Sequence, residues 1–191
     1  MELLLIRHSI TAGNLARRYV GRTDEGLCPE GERLARESAA GLPEPELVYS
    51  SPMLRCRQTA ELLFPGRDIT VVDGLQETDF GKFEYKTYEE LKNDADYCAW
   101  LDSGGSAPVP GGESRDEAAE RVMTGFDRLL LDIIAAGCTG TAALVAHGGT
   151  IMTLMSALGT PGRDYYGWQV KNCRGFAVTP DGERLRVLRE L

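Results

Sequence analysis

The chain has 191 residues, 42% of them hydrophobic, and a formal net charge of −8. At that length roughly 70% of the unfolded surface can be buried, so one domain, or one domain with a cap, forms a core without disulfides or a structural metal. The acidic balance disfavours nucleic-acid binding, which needs a basic face, and no apolar run reaches the roughly 18 residues of a membrane span.

Residues 3–6 are an apolar run that predicts a buried strand almost at the start of the chain. Residues 30–40 predict a helix with Leu34, Ser38 and Ala39 on one face and charges opposite. A short strand at 47–50 precedes Pro52, which is expected to open a helix to about residue 64. Residues 69–72 are another strand candidate, and the polar stretch 85–97 is expected to be helical. A loop rich in Gly, Ser and Pro follows at 103–112. Ser114-Arg-Asp-Glu117 is a capping box, opening a helix to about residue 136. Its Ala118, Val122, Phe126, Leu129 and Ile133 recur at three- and four-residue spacing, so that face is core. Gly137 and Gly140 end it. Residues 142–146 are apolar throughout, as in a strand covered on both faces. A helix at about 150–158 and a hairpin of 175–179 with 184–188 around Pro-Asp-Gly complete the chain.

This alternation implies an α/β three-layer sandwich with a mostly parallel central sheet, helices on both faces and a C-terminal hairpin. One domain over residues 1–191 is expected, with a short cap-like insertion at about 78–112. The five cysteines (Cys28, Cys56, Cys98, Cys138 and Cys173) are odd in number and scattered, with no Cys-x-x-Cys spacing. Reduced thiols in packing roles are expected, and with an N-terminus that lacks a leader pattern, a cytoplasmic location.

The chain has two histidines, and His8 and His147 each directly follow a predicted buried strand. Ligands of open α/β sheets bind beyond the carboxyl ends of the strands, so neighbouring strands would bring both imidazoles to one crevice. Arg7 adjoins His8, and its planar fork suits phosphate oxygens. Gly148 and Gly149 follow His147 where a helix begins, and bare amides there make an anion site. A metal site is the rival reading, but a guanidinium beside the first ligand opposes a cation, and no His-x-x-x-His spacing is present. Two unrelated polar residues at strand ends are the blander alternative. Residues 50–60 also run from a strand into a helix, with Arg55 on the first turn able to face inward and Arg57 directed elsewhere.

Six motifs then stand in order: Leu5-Ile-Arg-His-Ser-Ile-Thr-Ala-Gly-Asn14, Gly21 with Asp24, Ser51-Pro-x-x-Arg55-x-x-Gln-Thr-Ala60, Gln76-Glu-x-x-Phe-Gly81, Pro110-Gly-Gly-Glu-Ser114 and Val145-Ala-His-Gly148. Over about residues 3–155 the chain resembles the histidine phosphatase superfamily, the phosphoglycerate mutase-like group. The resemblance implies that His8 is the phosphorylated nucleophile, that Arg7, Arg55 and His147 stabilise the phosphoryl group, and that Glu77 is the general acid. Asn14, Gly21 and Gly148 are expected to bind substrate, with no cofactor and no metal. In this chemistry a neutral imidazole attacks phosphorus in line while cationic forks offset the oxygen charge.

The chain departs from the pattern at Ser9 and Ile10, where the family usually has Gly and then Glu. Ser9 is expected either to narrow the pocket or to donate a hydrogen bond. Tyr85 stands where glycine is common, two positions after Phe83. The mutases of the group hold a substrate carboxylate with an arginine pair in a longer insertion, whereas residues 78–114 here contain no arginine. Tyr85, Tyr88, Tyr97 and Trp100 are available instead to cover an organic leaving group. The expected activity is metal-independent hydrolysis of a small phosphorylated metabolite through a phosphohistidine, of the α-ribazole phosphate or broad-specificity type. A cofactor-dependent phosphoglycerate mutase and an inactive phosphate-binding module are the alternatives, and a homodimer is left open.

Overall fold

The computed structural model describes residues 1–191. The first apolar run becomes β1 (Glu2–Arg7), followed by α1 (Ala12–Leu15), α2 (Pro29–Ala39), β2 (Leu47–Ser50), α3 (Leu54–Leu63) and β3 (Ile69–Val71). Then come α4 (Tyr88–Leu91), α5 (Ala95–Asp102), α6 (Arg115–Ala135), β4 (Thr141–Ala146), α7 (Gly148–Leu158), β5 (Gly159–Thr160), β6 (Gly175–Asp181) and β7 (Arg184–Glu190). All strands join one sheet in the order β3-β2-β4-β1-β6-β7-β5. Only β6 runs against the others, antiparallel to both β1 and β7, so the mostly parallel α/β sheet and its C-terminal hairpin are as the sequence predicted.

Alternation along the central strands sorts side chains into two cores. Leu3 and Leu5 of β1, with Ala142 and Leu144 of β4, pack against α6 and α7 around Phe126, Leu154 and Trp168. Leu4 and Ile6, with Ala143 and Val145, pack against Cys56, Ala60 and Leu63 of α3. A period of two in a strand covered on both faces explains why these runs carry no polar residue. The expected core face of α6 is buried throughout, and Ser114 and Glu117 form the predicted capping box.

Several boundaries differ from expectation. Helix α3 starts at Leu54, with Met53 rather than Pro52 at its N-cap. On α2 the buried positions are Gly31 and Ala35, one place along from Leu34. The stretch 85–97 is two helices, not one. Thr87 caps α4, and Asp94 accepts from the amides of Asp96 and Tyr97 to start α5 afresh. Helix α7 begins at Gly148, two residues early. The hairpin turns through Gly182 and Glu183, with Gly182 at φ +63°. Pro180, which has no N–H, lies past Val178, where pairing with β1 ends.

Residues 78–112, the expected cap-like insertion, are tied down by aromatic rings. The Tyr19 ring meets Phe80, Tyr97 and Trp100 at centroid distances of 5.2, 5.9 and 5.8 Å, and the Tyr19 and Tyr97 hydroxyls are 2.7 Å apart. Phe83, Leu91, Tyr97 and Val109 make a small buried cluster beneath. Tyr85 has φ +59°, a left-handed conformation that costs a non-glycine residue about 1–2 kcal/mol and explains why glycine is common there. It is held by its amide to Tyr19 O, its carbonyl to Arg18, and its hydroxyl to Glu25 at 3.0 Å.

Candidate active site

Register places the two histidines together. Strands β1 and β4 are parallel neighbours with Arg7 opposite Ala146, so the next residues, His8 and His147, leave the sheet side by side. Their ring centroids are 5.2 Å apart. His8 is buried, and its Nδ1 lies 2.6 Å from the carbonyl oxygen of Ser9. A carbonyl only accepts, so Nδ1 carries the proton and Nε2 keeps a lone pair. Burial, reinforced by the charges of Arg55 and Arg7, pushes the His8 pKa well below the ordinary histidine range. The ring is therefore neutral at pH 7. Ser9 does not narrow the pocket. Its hydroxyl donates to Gly31 O at 2.6 Å and its amide donates to Thr59 Oγ1 at 2.9 Å, which anchors the carbonyl that orients His8. Asn172, absent from the sequence-derived site, donates to His8 O at 2.9 Å and Ser9 O at 3.2 Å, and to Asn14 Oδ1.

Two guanidiniums flank this ring. Arg7 Nη1 donates to Val170 O at 2.9 Å, and Arg55, fully buried, donates from its two Nη atoms to Thr23, Val20 and Gly21 carbonyls. In both residues Nε is buried without a hydrogen-bond partner. An unsatisfied buried donor costs about 1–3 kcal/mol, more when charged, so each is a ready donor to an anion beside His8. His147 is also fully buried, with Nε2 2.8 Å from Ser51 Oγ and 3.4 Å from Cys56 Sγ. Burial, then the charges of Arg55, His8 and Arg7, pushes its pKa far down as well. Cys56 is not a nucleophile, because burial pushes its thiol up to about 12.

Glu77 accepts the amides of Thr78 at 2.9 Å and Gly149 at 3.0 Å. A Cβ on Gly149 would collide with Glu77 Oε1, whereas one on Gly148 would meet nothing closer than 3.5 Å. Of the two glycines expected at this anion site, Gly149 is the one whose missing side chain makes room for Glu77. Gly149→Ala is expected to keep the fold, since alanine favours a helix by about 1 kcal/mol, but to push Glu77 aside and lower kcat by up to about 10²-fold. Steady-state kinetics beside a thermal melt checks both halves. The loop that carries Glu77 is clamped by Arg121, which donates to Gly74 O and Gln76 O and to both carboxylate oxygens of Glu113 at 2.7 and 2.6 Å. Burial raises the Glu113 carboxyl, but the hydrogen bonds from Arg121 and the Asp79 amide outweigh it and leave the pKa below its usual value.

These groups open on a cavity of about 300 Å³, lined by Arg7, His8, Asn14, Glu77, Gly148 and Gly149. Arg55 and His147 lie behind that surface. Gly21 does not reach it: its amide donates to Glu84 and its carbonyl accepts from Arg55, while a Cβ there would collide with Thr78 O. Its role is a close backbone crossing, not substrate contact. Arg18, Trp100, Arg115, Tyr165 and Tyr166 complete the lining. Trp100 was expected. The others lie outside the six motifs, with Arg115 one residue beyond the arginine-free stretch.

The buried neutral histidines also set a pH limit on stability. The unfolded chain takes up protons near pH 6.5, while the native rings resist them. Stability is therefore present above that pH and is lost as pH falls below it. From pH 7.5 to 5.5 a loss approaching about 1.4 kcal/mol per histidine is expected. Urea midpoints at the two pH values test this, in a window above the titration of ordinary carboxylates.

A model of the histidine phosphatase superfamily (branch 1) matches residues 3–190. The chain belongs to this superfamily. The glucosyl-3-phosphoglycerate phosphatase of Mycolicibacterium vanbaalenii is 34% identical over 166 residues, which are 82% of this chain and 73% of that protein. A crystal structure of phosphoglycerate mutase from Thermus thermophilus is 36% identical with a TM-score of 0.74, covering 100% of this chain and 98% of that one. The α-ribazole phosphatase from Shigella flexneri shares the fold, with a TM-score of 0.84 at 24% identity over 100% and 96% of the two chains. Against the first mycobacterial relatives, at 36% identity, the chain spans 41% of their length. No helix is long and apolar enough to cross a membrane.

Proposed function

We propose that this histidine phosphatase hydrolyses a small phosphomonoester through a phosphohistidine at His8 Nε2. The observation that carries this reading is the bond from His8 Nδ1 to Ser9 O, which leaves Nε2 unprotonated in the field of Arg55 and Arg7, whose Nε groups are buried and unpartnered. In the first step the Nε2 lone pair bonds to phosphorus and the ester P–O bond breaks. Its electrons pass to the leaving oxygen, which takes a proton from Glu77. In the second step water attacks phosphorus, Glu77 takes a proton from that water, and the P–N bond breaks to release phosphate and restore the imidazole. Arg7, Arg55, His147 and the Asn14 amide hold the equatorial oxygens. No metal enters this scheme, since two imidazoles between guanidiniums suit an anion rather than a cation.

Hydrolysis is favoured over mutase chemistry by charge. A mutase must retain a bisphosphate intermediate with a second phosphate and a carboxylate. Outside the phosphate floor the cavity offers Arg18, already paired with Glu90 at 3.1 Å, and Arg115, which has no acid partner. The deciding assay supplies 3-phosphoglycerate with and without the 2,3-bisphosphate primer, in the presence of chelator. Free phosphate without isomerised product supports the phosphatase reading, and primer-dependent isomerisation overturns it.

A further inference from the structure

We infer that Arg115 and the tyrosine pair Tyr165–Tyr166 form a subsite for a carboxylate on the leaving-group side of the substrate, so that the preferred substrates are phosphomonoesters bearing a carboxylate. This rests on the phosphatase reading of the same cavity and names the substrate class within it.

The subsite is assembled from three separate segments. Arg115 is the first residue of α6, the tyrosines belong to a 3₁₀ turn (Tyr165–Trp168), and the third part is the cap loop at Gly104 and Gly105. The Arg115 guanidinium lies over the Tyr165 ring at 4.5 Å and is 6.0 Å from that of Tyr166. Gly104 O accepts from both Arg115 Nη2 and the Tyr166 hydroxyl, the latter at 3.0 Å. Gly105, at φ +75°, makes the close approach possible: a Cβ there would stand 3.1 Å from the Tyr166 oxygen and 3.3 Å from Arg115 Nη2. The side chain is thus held in place before any ligand arrives.

Its charge is left unspent. Among the cations lining the cavity outside the floor, Arg18 is paired with Glu90, and the neighbouring carboxylate Glu113 is taken by Arg121. Arg115 has no carboxylate partner, and its contacts all run through Nη2, to Gly104 O and the Tyr166 hydroxyl. Nε and Nη1 therefore keep their N–H groups available for charge-assisted hydrogen bonds to a carboxylate. Nor does Arg115 stabilise its own helix, because the first position of a helix favours acids over cations. A preorganised, half-buried guanidinium facing the phosphate floor across one cavity is suited to a second anionic group on the same small molecule.

The test compares 3-phosphoglycerate with glycerol 3-phosphate, which differ by a carboxylate in place of a hydroxymethyl group. Wild-type enzyme is expected to favour 3-phosphoglycerate in kcat/KM by about 10- to 100-fold. In Arg115→Gln that ratio is expected to collapse toward one, and Arg115→Lys to recover part of it. Thermal melts establish that both variants fold. A wild type without the preference, or a variant that loses both substrates equally and keeps the ratio, overturns the subsite. Calorimetric binding of the two esters to the His8→Ala protein reads the same contrast without turnover. Carboxylate-selective binding with no phosphate release from either ester sinks the phosphatase reading and leaves the subsite standing, whereas turnover without selectivity does the reverse.

Discussion

His8→Ala is expected to lower kcat on p-nitrophenyl phosphate by at least about 10⁴-fold, because it removes the group that accepts the phosphoryl moiety rather than one that assists. Binding of inorganic phosphate is expected to survive, since Arg7 and Arg55 are anchored independently of the imidazole, through Val170, Thr23, Val20 and Gly21 carbonyls. Rapid quenching with labelled substrate gives the sharper result. Wild type should carry an acid-labile, base-stable phosphoryl label, and the variant none. A label that persists in His8→Ala would place the acceptor elsewhere. Equal inactivity of wild type and variant, with phosphate still bound by both, would make this a binding module. Because Nδ1 is committed to Ser9 O at 2.6 Å, the label is assigned to Nε2, and phosphorus NMR of the denatured adduct distinguishes the two nitrogens.

Glu77→Gln is expected to cost about 10²–10⁴-fold in kcat with alkyl phosphates, the usual worth of acid–base help, and much less with p-nitrophenyl phosphate. The difference is diagnostic. An alkoxide leaves badly without a proton, whereas p-nitrophenolate leaves readily, so a true acid at position 77 makes the loss scale with leaving-group basicity. Glutamine preserves an acceptor for the Gly149 amide at 3.0 Å, so the loop should keep its place. A uniform loss on both substrates would mean that Glu77 serves as a loop anchor instead, the role Glu113 already fills through Arg121.

Much of this organisation is readable from the chain alone. The uninterrupted apolar runs at 3–6 and 142–146 define buried parallel strands, since such strands have no solvent face to spare for polar residues. The capping box at Ser114 and the spacing of Val122, Phe126 and Leu129 define α6, because cap and stripe are local properties of one helix. Where local signals were short or ambiguous the boundaries moved. The stretch 85–97 has helical composition, but Asp94 can cap as well as continue, and tertiary contacts chose the cap. Four-residue α1 and two-residue β5 are too brief to show any period.

The site divides in the same way. The pairing of His8 with Arg7, and of His147 with two glycines, is a matter of adjacency along the chain and is visible without coordinates. Local sequence cannot reveal which groups of distant segments meet. Register alone, Arg7 opposite Ala146, brought the imidazoles together. Packing placed Arg55 behind the cavity floor with its Nη atoms on three carbonyls, turned Gly21 from a ligand donor into a backbone crossing, and gave Gly149 rather than Gly148 the contact with Glu77. The sequence determined the candidate nucleophile and the sheet that presents it, because both depend on neighbours a few residues away. The tertiary structure decided what surrounds the leaving group, because Arg115, Tyr165 and Trp100 meet only where the cap, α6 and the turn after α7 close over one cavity.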